Sequence, residues 1–161
     1  MEQLDKTYEQ VREISHSLIP KEFSEQTFID LVERYISNFS KGQSFEVIFT
    51  SLNSDGINTV SERLQVSIFN MIKELLNNAY KYAQASQIDV QLNYDVDQKS
   101  LDLLYEDNGR GFDTTETSNG IGLNNLSKRV KEYNGTMHIN TAINRGTVIS
   151  ISLQNNTETN G

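Results

Sequence analysis

The apolar residues of this chain change their period along its length, and the order of those changes restricts the fold more than any single residue does. Leu4, Thr7, Val11, Ile14 and Leu18 recur by three and four residues, a helical spacing, until Pro20 interrupts them. A second helical stripe carries Phe28, Leu31, Val32, Tyr35, Ile36 and Phe39, with Ser24 as its expected N-cap. Phe45, Val47 and Phe49 then alternate with polar residues as in a half-buried strand, which Asn53-Ser54-Asp55-Gly56 ends. Leu64, Ile68, Ile72, Leu75, Leu76, Ala79 and Ala83 mark one long helix running to about Gln84. Ile88, Val90, Leu92 and Tyr94 form a hairpin with Leu101, Leu103 and Tyr105, turned through Asp95 to Lys99. Leu123, Leu126, Val130 and Tyr133 mark another helix, and Met137 and Ile139 form a second hairpin with Ile149, Ile151 and Leu153. Strands in neighbouring pairs, with helices between the pairs, predict an α+β fold. Its expected form is a two-layer sandwich: a mixed, largely antiparallel sheet with helices on one face, preceded by an N-terminal helix.

Composition narrows the function classes. A chain of 161 residues with 36% hydrophobic content can build one compact domain with an accessory element and is not wholly disordered. Without cysteine there is no disulfide framework and no thiolate zinc site, which fits a reducing cytoplasm. With 14 Lys+Arg against 22 Asp+Glu, the net charge of -8 argues against a general nucleic-acid binder while permitting a local phosphate site. No apolar run approaches the roughly 20 residues that cross a bilayer, and Met1-Glu2-Gln3 begins no signal peptide. The segment is expected to be cytoplasmic, with no membrane contact of its own. Its first stripe covers about two heptads and suits a bundled oligomer helix or an amphipathic helix lying on its own domain. Gln154 to Gly161 carries no apolar residue and is expected to fray.

The polar residues that could do chemistry fall in the long helix and the glycine-rich loops. Glu74, Asn78 and Lys81 stand at i, i+4 and i+7, one face of an α-helix. A carboxylate, an amide oxygen and an ammonium can orient a nucleophile, hold a hydrated magnesium ion and neutralise a phosphate. The same stripe is also what an ordinary solvated helix face looks like. Asp107-Asn108-Gly109-Arg110-Gly111-Phe112 follows a strand directly, and Gly120-Ile121-Gly122-Leu123 opens the next helix, whose free N–H groups suit a phosphate. This is no dinucleotide fingerprint: the third glycine is missing, and no second βα unit supplies an acid for the ribose.

Taken in order, Glu74-x-x-x-Asn78-x-x-Lys81, Asp107-x-Gly109-x-Gly111, Gly120-x-Gly122-Leu123 and Gly146-Thr147 resemble the Bergerat ATP-binding fold. Sensor histidine kinases, DNA gyrase, the Hsp90 chaperones and MutL share that fold. Gly120-x-Gly122-Leu123-x-Asn125-x-x-x-Arg129 and the short loop Asp113 to Asn119 are most similar to histidine kinases of the nitrate-sensor type. The resemblance makes residues 21–153 the catalytic ATP-binding domain and 154–161 a flexible tail. Residues 1–20, through Val11 to Pro20, resemble the second helix of that family's dimerisation bundle.

The resemblance implies ATP and Mg2+ and assigns roles residue by residue. Asp107 would accept a hydrogen bond from the adenine amino group and reject guanine, with Thr147 assisting. Asn78 would coordinate the metal, and Glu74 would be the catalytic acid residue that orients or deprotonates the nucleophile. Lys81 would meet a phosphate, and Tyr82, where many relatives carry His, would stack on the nucleotide. Gly109, Gly111, Gly120 and Gly122, with Leu123 beside them, would let a lid close over the phosphates. The implied function is the kinase core of a two-component sensor that sends the γ-phosphoryl group to a histidine and on to a response regulator receiver domain. The full-length protein would be a homodimer, with membrane anchoring compatible. Ser15-His16-Ser17-Leu18-x-Pro20 resembles an acceptor box, but Ser17 stands where an acid should serve as base, so the acceptor is expected upstream of this chain. His138 alternates with Met137 and Ile139 and reads as structural. Two alternatives stay open: a water-directed ATPase of the gyrase or Hsp90 kind, and a nucleotide-responsive binding module without catalysis.

Overall fold

A capping box starts the first helix in the computed structural model, which describes residues 26–115 and 121–156. The Asp30 amide donates to the Thr27 hydroxyl at 3.2 Å and the Thr27 amide donates to the Asp30 carboxylate at 2.9 Å. Helix α1 (Phe28–Ser40) follows and buries Ile29, Val32 and Ile36. The cap is therefore Thr27 and not Ser24, because only Thr27 has a carboxylate three residues on to complete the box. Ser24 itself, the Leu4 to Leu18 stripe and His16 lie outside the described residues.

Strand β1 (Glu46–Leu52) alternates half-buried and exposed residues as its sequence predicts. The Asn53 to Gly56 cluster ends it but also opens a short helix, α2 (Ser54–Thr59), which the polar composition concealed. Asn53 adopts a left-handed φ of 57°, accepts the Gly56 amide at 3.3 Å and donates to the Tyr94 carbonyl at 2.9 Å. Ile57 plugs the core from that turn.

Ser61 caps helix α3 (Glu62–Asn78), accepting the Leu64 amide at 3.3 Å. Leu64, Ile68, Met71, Ile72, Leu75 and Leu76 are buried along one side of it. Full burial of such a side chain stabilises by about 1.5–3 kcal/mol. The regular helix does not reach Gln84: a π-helical turn occupies Ala79–Ala83, and Gln84 ends it at φ 51°.

Strands β2 (Gln87–Asp95) and β3 (Ser100–Asp107) form the expected hairpin, its turn held by the Asp97 and Gln98 amides on the Asp95 carboxylate at 3.0 and 2.9 Å. Helix α4 (Ile121–Glu132) precedes the second hairpin, β4 (Thr136–Thr141) and β5 (Thr147–Gln154). The sheet order is β1-β2-β3-β5-β4, with β1 parallel to β2 and every other pair antiparallel. One face carries the buried rows Ile88, Val90, Leu92; Leu101, Leu103, Tyr105; and Ile149, Ile151, Leu153. Those rows and the apolar faces of α1, α3 and α4 form one core. The opposite face is mostly polar, for example Asp102, which accepts the Ser152 hydroxyl at 2.6 Å, with Ile48, Leu52 and Leu104 exposed among its polar residues. Ser67 on α3 and the Tyr133 hydroxyl beyond α4 share a hydrogen bond of 2.7 Å that ties the two helices together.

The chain is held slightly past the last apolar residue. Gln154 still pairs with Ser100, and the Asn155 amide donates to the Lys99 carbonyl at 2.8 Å. Backbone pairing needs no apolar side chain, so fraying does not begin at Gln154. Leu76→Ala is expected to lower the unfolding free energy by about 2–5 kcal/mol. Val96→Ala, at an exposed position, should change it by less than about 0.5 kcal/mol. Urea denaturation of both variants checks this, and equal losses would contradict the core described above.

Candidate functional site

The pleat of β3 sends Leu101, Leu103, Tyr105 and Asp107 to the core face, so the strand ends on a carboxylate that is only 6% exposed. A charge so placed needs hydrogen-bonding partners. The Gly109 amide donates to Asp107 Oδ1 at 2.9 Å, and the Tyr105 hydroxyl donates to Oδ2 at 2.6 Å. Burial, then the hydrogen bond to Asp107 and its negative charge, push the Tyr105 phenol far above its ordinary range. Tyr105 therefore stays protonated, as a donor. A carboxylate offers about four lone-pair directions, and these two bonds use half of them.

Thr147 lies directly across from Asp107 on β5 and is equally buried. Its hydroxyl is 3.0 Å from that of Thr141, which donates to the Gly146 carbonyl and accepts the Phe112 amide at 3.2 Å. The loop after Asp107 is anchored on its other side by Asn108, whose Oδ1 accepts the Ser86 and Gln87 amides at 2.9 and 3.0 Å. The Arg110 amide donates to the Ala83 carbonyl at 2.7 Å. That contact is why position 109 carries no side chain: a Cβ there would strike the Ala83 carbonyl oxygen. Gly146, at φ 72°, would likewise drive a Cβ into the Asp107 carbonyl. Gly111 lies in the same loop, at φ 59°.

Glu74 and Asn78, a turn apart on α3, converge on the first turn of α4. A Cβ on Gly122 would lie 2.7 Å from Glu74 Oε1 and 2.9 Å from Asn78 Nδ2. Between that pair and Lys81 the helix widens into the π turn, which closes i→i+5 and rotates less per residue than an α-helix, so Lys81 is offset from the strict i+7 position. Lys81 and Tyr82 are both exposed on that turn. Leu123 packs against the core, and Gly120 lies outside the described residues. Ahead of that gap the Asp113 carboxylate accepts the Thr115 hydroxyl and amide at 2.6 and 2.8 Å, which hold it below the usual carboxylate range. His138 is exposed on the outer face of the sheet, opposite Ser150. Among the described residues no three His, Cys, Asp or Glu side chains gather as a metal site.

Sequence reasoning missed Tyr105, Asn108, Thr141 and the Ala83 carbonyl. Tyr105 was legible only as an alternating apolar residue, though its i, i+2 relation to Asp107 places both on one face. A backbone carbonyl leaves no signal in the sequence.

The model of the histidine kinase-, DNA gyrase B- and HSP90-like ATPase family matches residues 64–157. The chain is 30% identical over 151 residues to the signal transduction histidine-protein kinase/phosphatase DegS of Brevibacillus brevis, covering 92% of this chain and 38% of that protein. It is 24% identical over 153 residues to the oxygen sensor histidine kinase NreB of Staphylococcus carnosus, covering 93% of this chain and 43% of the relative. The chain thus spans less than half the length of these relatives. Among solved structures, the histidine kinase AdeS of Acinetobacter baumannii superposes with a TM-score of 0.61 at 16% identity, over 96% of this chain and 77% of that one. The histidine kinase domain of the blue-light activated kinase of Erythrobacter litoralis gives 0.58 at 17% identity, over 80% of this chain and 61% of that one. The fold is thus that of a histidine kinase catalytic domain, and this chain belongs to the histidine kinase-, DNA gyrase B- and HSP90-like ATPase family.

Proposed function

We propose that this chain is the ATP-binding catalytic core of a two-component sensor histidine kinase. It sends the γ-phosphoryl group of ATP to a histidine outside this chain, for relay to a response regulator receiver domain. The observation that carries this reading is the pair of polar centres held by one core: Asp107 at the end of β3, and Glu74 with Asn78 against the first turn of α4. The first centre suits a base and the second a phosphate chain.

Asp107 retains acceptor capacity on both oxygens and would accept a hydrogen bond from the adenine 6-amino group, whereas the guanine carbonyl would meet it as a second acceptor. Thr147, across the strand pair, would complete the base pocket, directly or through water. Asn78 would hold magnesium through its amide oxygen, and such an ion neutralises charge on the phosphates during phosphoryl transfer. Glu74 would receive a hydrogen bond from the incoming imidazole and orient it toward the γ-phosphorus. Lys81 and Tyr82, exposed on the π turn, would meet phosphate and nucleotide from the solvent side, and Gly120 and Gly122 would keep the lid backbone close. Catalysis then rests on positioning and charge neutralisation.

Ser17 after His16 supplies no base, which supports an acceptor outside this chain. The full-length protein would dimerise through its helical bundle and work in the cytoplasm. Among the described residues no helix is long and apolar enough to cross a membrane.

By calorimetry, ATP with magnesium should bind and GTP should not. Asp107→Asn should weaken ATP about 10- to 100-fold, the range for losing a hydrogen bond to a charged acceptor. Equal binding of both nucleotides would sink the adenine assignment. Gly122→Ala should leave the melting temperature nearly unchanged while displacing Glu74 and Asn78, reducing phosphoryl transfer at least about tenfold. Full activity in that variant would separate the pair from the chemistry. With labelled ATP, a longer chain that includes the upstream helix should acquire acid-labile phosphate, and this chain alone should not. Steady phosphate release without protein labelling would point to a water-directed ATPase.

A further inference from the structure

Asp107 is held from two sides. The Gly109 amide arises from the loop backbone that the glycine spacing already requires, but the second donor is a side chain, the Tyr105 hydroxyl at 2.6 Å on Oδ2. Tyr105 stands on the inward row of β3 after Leu101 and Leu103, across from Val90 on β2 and Ile149 on β5. Its neighbours are aliphatic and the residue is 3% exposed, so filling the core does not call for a hydroxyl there. Among the described residues the bond to Asp107 is the one that this hydroxyl makes.

We propose that Tyr105 is a positioning residue for adenine recognition: it fixes the rotation of the Asp107 carboxylate so that one oxygen presents a free lone pair to the base. The inference rests on the assignment of Asp107 to the adenine amino group. An amide on one oxygen and a phenol on the other define the plane of the carboxylate, and with one bond removed it can turn about its Cβ–Cγ axis. The 2.6 Å bond also places the phenol on Oδ2 with Oδ1 on the Gly109 amide, so each oxygen keeps one fixed donor. Burial and the adjacent charge raise the phenol's own proton affinity, so the donor is not lost at high pH.

The test compares ATP with purine riboside triphosphate, which lacks the 6-amino group, on the full chain by calorimetry. Wild-type protein should prefer ATP. Tyr105→Phe should weaken ATP about 5- to 20-fold and leave purine riboside triphosphate within about twofold, so that the preference shrinks. Equal weakening of both nucleotides would assign Tyr105 a structural role only, and unchanged affinity for both would show that the hydroxyl does nothing for Asp107. Either result overturns the proposal while leaving the adenine assignment intact. Absence of any preference in the wild type, with Asp107→Asn silent, would instead remove the assignment of Asp107 and this proposal with it. A measurement on the unmodified protein stands beside these: the Tyr105 hydroxyl proton should shift in NMR spectra on adding ATP and not on adding purine riboside triphosphate. Identical shifts with both would also count against the proposal.

Discussion

Leu64, Ile68, Met71, Ile72, Leu75 and Leu76 bury one side of α3 in the core shared with β2, β3 and β5, and this contact sets the rotation of the helix about its axis. One residue of slip would turn the helix by about 100° and expose that stripe. With the rotation fixed, Glu74 and Asn78 lie on the side of α3 that faces the first turn of α4. α4 is itself held by Leu126 and Val130 in the core and by the Ser67 bond to Tyr133. The backbone that carries the polar pair is thus positioned by apolar packing elsewhere on the same helices.

Asp107 raises the opposite problem, a carboxylate inside that core. Leaving a buried charge short of partners costs more than the bonds themselves return, so the fold surrounds it with fixed donors. Gly109 provides one donor because the chain turns back beneath Asp107, and that turn is closed by the Ala83 carbonyl and by Asn108. Tyr105 provides the other from the strand itself. Both donors are already in place around the carboxylate, which is the condition under which an electrostatic contact is most effective.

Much of this was readable in the sequence. The alternation of Ile88, Val90, Leu92 and Leu101, Leu103, Tyr105 identified the inward rows, and the spacing of Asp107, Gly109 and Gly111 identified the tight turn. The expected helical layer on one face of a mixed sheet follows from the same periods. What escaped has physical reasons. Period reports which face is buried but not which strand lies beside it, so the place of β5 between β3 and β4 was hidden. Ala79 and Ala83 fit an α-helix and a π turn equally well, so the widened turn left no trace. Helix α2 has only Ile57 buried among polar residues, too short a pattern to show a period. The hydroxyl of Tyr105 was masked because the ring behaves as an apolar residue.

The π turn has one more consequence. It contains one residue more per backbone ring than a regular helix, and its last residue, Ala83, meets Arg110 through its carbonyl. The segment between Asn78 and Ile88 therefore acts as a gauge of fixed length between the two halves of the site. Side chains at its exposed positions, Tyr80 among them, can be exchanged without moving the carbonyl. Insertions and deletions cannot be absorbed in the same way, because adding or removing a single residue shifts Ala83 against Gly109, where there is no space for even one methyl group.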